Sequence, residues 1–238
     1  MGASHVVRSP RGERAATLLA DAAREAVPLA AVGGVAVELL CPTARPGGPW
    51  GRTLADIDVA TVGKSRPRVD ALVQAHGFTP DEPFNRMNGS VRMRYFDTDG
   101  AHLDVFVDEL RLCHVVSWAK GLPPGAPTLP VPELLLTKLQ VVRCEAKDLS
   151  DLSALLTDQW EALGLQAERL ERLVRGDWGL WRTGRGTLER LAASTDATVA
   201  DRAAELLIRW QAYRLTPAAR LRGVVGDRVR WYEEPEEV

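Results

Sequence analysis

The stretch Leu29-Ala-Ala-Val32 runs straight into Gly33-Gly34 and continues as Val35-Ala-Val-Glu-Leu-Leu40. That order predicts a buried strand over Leu29 to Val32, a tight glycine turn, and an apolar helix that opens at the turn. Glycines let a ligand approach the backbone closely, and the first turn of a helix directs N–H donors outward, so the unit suits a phosphate. A loop from Cys41 to Gly51 with three prolines and three glycines follows, and then a second apolar strand over Leu54 to Val62 carries Asp56 and Asp58. Strand side chains alternate, which puts carboxylates at i and i+2 on one face about 6–7 Å apart along the chain. Two like charges held so close are unfavourable unless a cation lies between them. A third strand, Ala101-His-Leu-Asp-Val-Phe-Val107, offers a single acid, Asp104. Three carboxylates on adjacent strands beside a glycine turn meet the requirement of a two-metal phosphoryl-transfer site.

The remaining positions are read in chain order. Residues 1 to 10 form a loose leader, and Glu13 to Ala26 is an Ala/Leu-rich helix ended by Pro28. Arg52 and Thr53 sit where they can reach a triphosphate, or they simply start the Asp56/Asp58 strand. Gly63-Lys64-Ser65 mimics the end of a phosphate-binding P-loop, but Asp58 stands where that motif needs glycine. Arg68 to His76 is a short amphipathic helix with Gly77 as its C-cap. Ser90 to Phe96 and Ala101 to Val107 flank the turn Asp97-Thr-Asp-Gly100 as a hairpin. Arg92 and Arg94 share one face of it, as do His102 and Asp104. On an active face the arginines contact phosphate and His102 neighbours the cation; on a solvent face Asp104 is merely exposed. Cys113 to Trp118 reads as a short helix or strand, and His114 has no ligand partner at metal spacing. Gly121 to Pro130 is the linker between domains. Helices follow over Val131 to Cys144, Lys147 to Leu156, Ala162 to Val174, Gly186 to Ser194 and Thr198 to Tyr213. Lys138 lies among Leu134, Leu135, Leu139 and Val142, an odd place for an ammonium unless it snorkels or meets an anion. Asp148 and Asp151 share a helix face three residues apart. Trp160, Trp178, Trp181 and Trp210 are read as packing residues.

Composition limits the classes available. With 238 residues, 45% hydrophobic and 26% charged, the chain has the make-up of a soluble globular protein of one or two domains. No run approaches the roughly 18 apolar residues of a membrane span. The start, Met1-Gly-Ala-Ser-His-Val-Val-Arg8, lacks the apolar core of a signal peptide, and Val6 breaks the myristoylation pattern. Cys41, Cys113 and Cys144 are odd in number and far apart, which indicates neither a disulfide framework nor a zinc site. The expectation is a cytoplasmic protein with reduced thiols and no membrane partner. A net charge of −2 argues against coating nucleic acid by electrostatics alone. Its distribution is uneven: Leu165 to Tyr232 holds thirteen arginines, no lysine and eight acids, a balance of +5, before the acidic Glu233-Glu-Pro-Glu-Glu237. Such a half can meet an RNA backbone, although a solvated helix surface is the commoner meaning.

Taken together, Gly33-Gly34, Asp56-x-Asp58 and the Asp104 strand resemble the nucleotidyltransferase superfamily of the polymerase-beta type. Pro132-Glu-Leu-Leu-Leu-Thr-Lys138-Leu and Arg143-x-x-x-Lys147-Asp148-x-x-Asp151-Leu resemble the later motifs of its AbiEii branch. That branch contains toxins of bacterial toxin–antitoxin and abortive-infection systems, including MenT-type enzymes that modify tRNA. The resemblance covers about residues 15 to 157, and Val35 stands where the branch often has a hydroxyl residue. It implies an α/β (α+β) nucleotidyltransferase head with a mixed sheet over residues 11 to 120, and an all-helical C-terminal domain over residues 131 to 232. It further implies transfer of a nucleotide from an NTP to an acceptor hydroxyl with two Mg2+ ions, the acceptor being a tRNA 3′ end, and a cognate antitoxin as partner. In that scheme Asp56 and Asp58 hold Mg2+, Asp104 completes the second metal site, and Gly33-Gly34 cradles the phosphates with Arg52 and Thr53 nearby. Lys138 neutralises triphosphate charge, while Lys147, Asp148 and Asp151 line the site, Asp151 orienting the acceptor. The rival readings are transfer to a small molecule such as an aminoglycoside or to a protein side chain, and a non-catalytic binding protein that kept the fold.

Overall fold

A computed structural model describes residues 7–123 and 125–234. Val6 and the tail residues Glu236 and Glu237 lie outside them. The chain divides into two compact units: one runs to Glu109 and includes Ser117–Leu129, the other comprises Leu110–Val116 and the chain from Pro130 onward.

The first unit is α+β. Its elements are α1 (Pro10–Arg24), β1 (Leu29–Val32), α2 (Gly33–Leu40), β2 (Ile57–Thr61), α3 (Arg66–Ala75), β3 (Thr79–Pro80), α4 (Glu82–Asn88), β4 (Arg92–Phe96) and β5 (His102–Val107). The helix α1 starts earlier than its apolar pattern suggests. Ser9 caps it by accepting from Gly12 N–H at 3.0 Å, and Pro10 takes the first helical position, so part of the expected leader is helix. No apolar periodicity marks α4, which buries no residue; Asp81 starts it by accepting from Phe84 N–H at 3.2 Å.

The five strands lie in the order β1-β2-β5-β4-β3. The β2–β5 pair is parallel and the other pairs are antiparallel, so the sheet is mixed. The segment expected to be a linker is not loose: Ala31 N–H donates to Pro127 C=O and Leu129 N–H to Ala31 C=O, which covers the outer edge of β1. Within Cys113 to Trp118 only β7 (Val115–Ser117) is strand, and it pairs with β6 (Glu109–Arg111) in a two-stranded sheet.

The C-terminal region is helical: α5 (Val131–Leu139), α6 (Ala146–Asp158), α7 (Trp160–Leu165), α8 (Ala167–Val174), α9 (Trp178–Ala192), α10 (Ala197–Gln211) and α11 (Pro217–Val225). The helix α5 ends at Leu139 rather than Cys144, because Glu145 and Asp148 form a reciprocal capping box that starts α6 afresh. Asp177 caps α9 by accepting from Leu180 N–H at 3.0 Å, so this helix starts eight residues before Gly186, where the sequence pattern places its beginning. Trp181 and Trp210 join α9 to α10 by donating indole N–H groups to each other's carbonyls, both at 2.9 Å. The tryptophans pack as expected: Trp178 and Trp210 are buried.

One buried acid ties the hairpin to α1. Asp97 Oδ2 accepts from Arg11 at 2.9 Å and Arg14 at 2.7 Å, while Oδ1 accepts from the N–H groups of Asp99 and Ala101. Burial alone would raise its pKa, but the Ala101 and Asp99 N–H groups and the two guanidinium charges outweigh it and hold the carboxyl below its ordinary value. A folded-state pKa below the unfolded one means stability that is complete above the unfolded value near 3.9 and is lost as pH falls through the folded value. Asp97→Asn is therefore expected to lower the unfolding temperature by several degrees at neutral pH. The gap to wild type should close as the pH of the melts is taken from about 5 toward 2.

Candidate functional site

Backbone register aligns four residues across four strands of the first unit. Val32 pairs with Asp58, Asp58 with Asp104, and Asp104 with Arg94. Directly paired strand residues project to the same side of a sheet, so Asp58, Asp104 and Arg94 share a face. Neighbouring strands lie only about 4.8 Å apart, so Asp58 and Asp104 are adjacent residues on that face. Asp56 precedes β2 and is exposed, whereas Asp104 is 5% exposed, which removes the reading of Asp104 as a solvent-face residue.

The glycine turn abuts the same row. Gly33 has φ +67°, a left-handed value that favours glycine, and a Cβ there would collide with the Asp58 carboxylate. A Cβ at Gly34 would collide with the Arg52 guanidinium. The turn thus brings the N-terminus of α2 close to an acid and a cation, and the left-handed backbone at Gly33 calls for glycine there. Thr53 is exposed, and its carbonyl accepts from Arg52 at 3.4 Å. Val35 is buried in α2, which leaves backbone N–H groups as the donors of this turn.

Two arginines on β4 complete the face. Arg92 grips Asp104 with both prongs, Nε to Oδ1 at 3.0 Å and Nη2 to Oδ2 at 2.8 Å. Arg94 stands over the Phe84 ring, 4.1 Å from its centroid. His102 packs edge-on against Phe96, with centroids 4.8 Å apart. Sequence reasoning found the shared face of Arg92 and Arg94 but missed that Arg92 pairs with Asp104. The hairpin register held that signal, because a turn over Asp97 to Gly100 sets Arg94 opposite Asp104. The same unit carries a groove of about 610 Å3 lined by Arg66, Asp70, Asn85, Arg86, Met93 and Tyr95. Met93 and Tyr95 alternate with Arg92 and Arg94, so this groove opens on the side of β4 away from Asp104.

The donor chemistry suits a hard divalent cation. Mg2+ is commonly held by one or two carboxylates plus substrate phosphates, and Asp58 with Asp104, preceded by Asp56, offers that set beside a phosphate-suited turn. Among the described residues, no group of three or more His, Cys, Asp or Glu side chains is arranged to hold a metal by itself.

The helical unit holds a second cluster. Lys138 is 12% exposed and does not snorkel; its ammonium lies 2.8 Å from Asp151 Oδ2 and 3.7 Å from Asp148 Oδ1. Both acids are buried, so Lys138 has local partners that account for an ammonium in an apolar helix. Lys147 points to Glu145 at 3.2 Å and is largely exposed. His114 Nε2 lies 2.9 Å from Thr183 Oγ1, and His76 ends its helix beside Asp21 at 3.1 Å.

No protein-family model matches the chain, and no curated protein matches it. The likeness to nucleotidyltransferases accordingly rests on the motif residues themselves. No described helix is long and apolar enough to cross a membrane.

The Lys138 cluster carries a prediction about folding. Lys138→Met leaves two buried carboxylates without their cation and is expected to cost about 3–5 kcal/mol, read from chemical unfolding. Adding Asp151→Leu should recover part of that loss.

Proposed function

We propose that this chain is a Mg2+-dependent nucleotidyltransferase that moves a nucleotide from an NTP to an acceptor hydroxyl: the acceptor oxygen bonds to the α-phosphorus, the α–β phosphoanhydride bond breaks, and pyrophosphate leaves. The observation that carries this reading is the Gly33-Gly34 turn, packed between Asp58 and Arg52, with Asp104 in register beside Asp58. Asp58 and Asp104, together with Asp56, are the residues that would hold Mg2+. The ion, when bound, supplies charge neutralisation on the phosphates and makes an acceptor hydroxyl easier to deprotonate. The N–H groups of the α2 first turn and the Arg52 guanidinium bind and orient phosphate oxygens. A carboxylate of the set takes up the acceptor proton. Fixed charges and dipoles of this kind are the main contribution of a protein to phosphoryl transfer.

The resemblance also gives Lys138, Lys147, Asp148 and Asp151 roles toward the nucleotide and acceptor, but Lys138 is paired with Asp151 and Asp148 within the helical unit and Lys147 with Glu145, so none of them carries this reading. The same resemblance names a tRNA 3′ end as acceptor and a toxin–antitoxin system as setting. A second acceptor class is favoured by how the arginines of the C-terminal half are used. Arg169 pairs with Glu133, Arg182 with Asp227, Arg185 with Glu189 and Arg209 with Glu205. Arg190 and Arg202 donate to backbone carbonyls of Cys144, Leu156 and Thr157. Arginines engaged in this way offer less to an RNA backbone than the +5 balance suggests, which keeps a small molecule or a protein side chain as acceptor.

Incubating the full chain with each α-labelled NTP, Mg2+ and total tRNA tests the reading. Label is expected in RNA from one NTP, and Asp58→Asn should reduce it about a hundredfold or more. Label appearing on an added aminoglycoside or on protein would move the acceptor to the second class. Absence of transfer from every NTP to all three acceptors would overturn the proposal.

A further inference from the structure

Asp104 is the most buried of the three head carboxylates, and both of its oxygens are taken by one side chain. A guanidinium fork on a carboxylate is planar, charge-assisted and directional, which makes it a stronger partner than an ammonium at the same distance. Arg92 reaches Asp104 along the sheet: its register partner is Phe106, and the rings of Phe84 and Phe106 flank its guanidinium at 5.7 and 5.4 Å. Arg94 is the register partner of Asp104, yet its Nε stays 3.8 Å from Oδ1, and its buried Nε and Nη2 make no hydrogen bond. Two guanidiniums therefore lie beside Asp104, and only Arg92 is hydrogen-bonded to it.

The carboxylate that would help hold a divalent cation already serves Arg92. A cation and a guanidinium are both drawn to the same oxygens and repel each other across them. We infer that Arg92 and the divalent cation compete for Asp104, so that Arg92 is an internal counterion setting how much metal the head requires. This rests on the reading of Asp58 and Asp104 as a cation site. Arg94, with a similar charge but no bond to Asp104, lacks this role.

Direct titration of the full chain with Mn2+, following free ion by electron paramagnetic resonance, tests the inference without reference to activity. Arg92→Gln is expected to tighten Mn2+ binding about tenfold, the scale of one charge-assisted hydrogen-bonded pair. Arg94→Gln removes a like charge without breaking such a bond and should tighten it about threefold or less. The gain of Arg92→Gln should vanish when Asp104→Asn is added. Thermal melts establish that each variant is folded; should Arg92→Gln fail to fold, Arg92→Lys, which keeps the charge and loses the fork, should tighten binding by an intermediate amount. Equal effects of the Arg92 and Arg94 substitutions, or a gain that survives Asp104→Asn, would overturn the inference while Mn2+ binding that depends on Asp58 would leave the cation site standing. No Mn2+ binding sensitive to Asp58→Asn in any variant would remove both.

Discussion

The arrangement of the first unit depends on one row of backbone pairing, Val32–Asp58–Asp104–Arg94, which sets acids side by side on a mixed sheet. Carboxylates in neighbouring strands repel unless something positive lies among them. The glycine turn, the Arg52 contact with Gly34 and the Arg92 fork on Asp104 all follow from meeting that demand within a few ångströms. The parallel β2–β5 pair is what creates it. An antiparallel or shifted pairing would have sent Asp104 elsewhere, and a slip of one residue would have turned it to the other face.

Buried acids elsewhere are settled by the same device. Asp97 is held by Arg11 and Arg14, Glu133 by Arg169, and Asp151 by Lys138. In each case a charge taken from water is matched by a cation with defined geometry, without which burial would be strongly unfavourable. Glu38 is the exception among the described residues: it is buried, one oxygen accepts from Ser9 N–H at 2.7 Å, and the other makes no hydrogen bond. Its bond joins the helix that carries the glycine turn to the start of α1.

Arginine is the general solvent of these charges, which changes the meaning of the basic C-terminal half. The count of thirteen arginines is a property of the sequence, but most of them are spent on carboxylates and carbonyls inside their own unit. Arg175, Arg214, Arg220 and Arg228 are exposed to solvent. Charge balance over a segment thus overstates the electrostatic surface when the helices pack by pairing their own residues.

The sequence by itself determined the strand–Gly33-Gly34–helix unit, the strand bearing Asp58 and the hairpin bearing Asp104, because apolar runs, alternation and glycine turns are local properties; it extended that strand over Asp56, which precedes it. It also determined that the C-terminal region is helical, since periodicity of 3.6 persists there over many turns. It left α4 and α11 unseen: α4 buries nothing, and α11 buries only Ala219, so neither shows a stripe. It misjudged α9, whose glycines weaken helix propensity until the paired indoles of Trp181 and Trp210 fix the helix in place. Only the tertiary structure decided that Asp58 and Asp104 are neighbours, that Arg92 rather than Arg94 holds Asp104, and that Lys138 answers to Asp148 and Asp151. Those pairings join residues on different elements, and sheet register and helix packing, which are sums over many contacts, choose them.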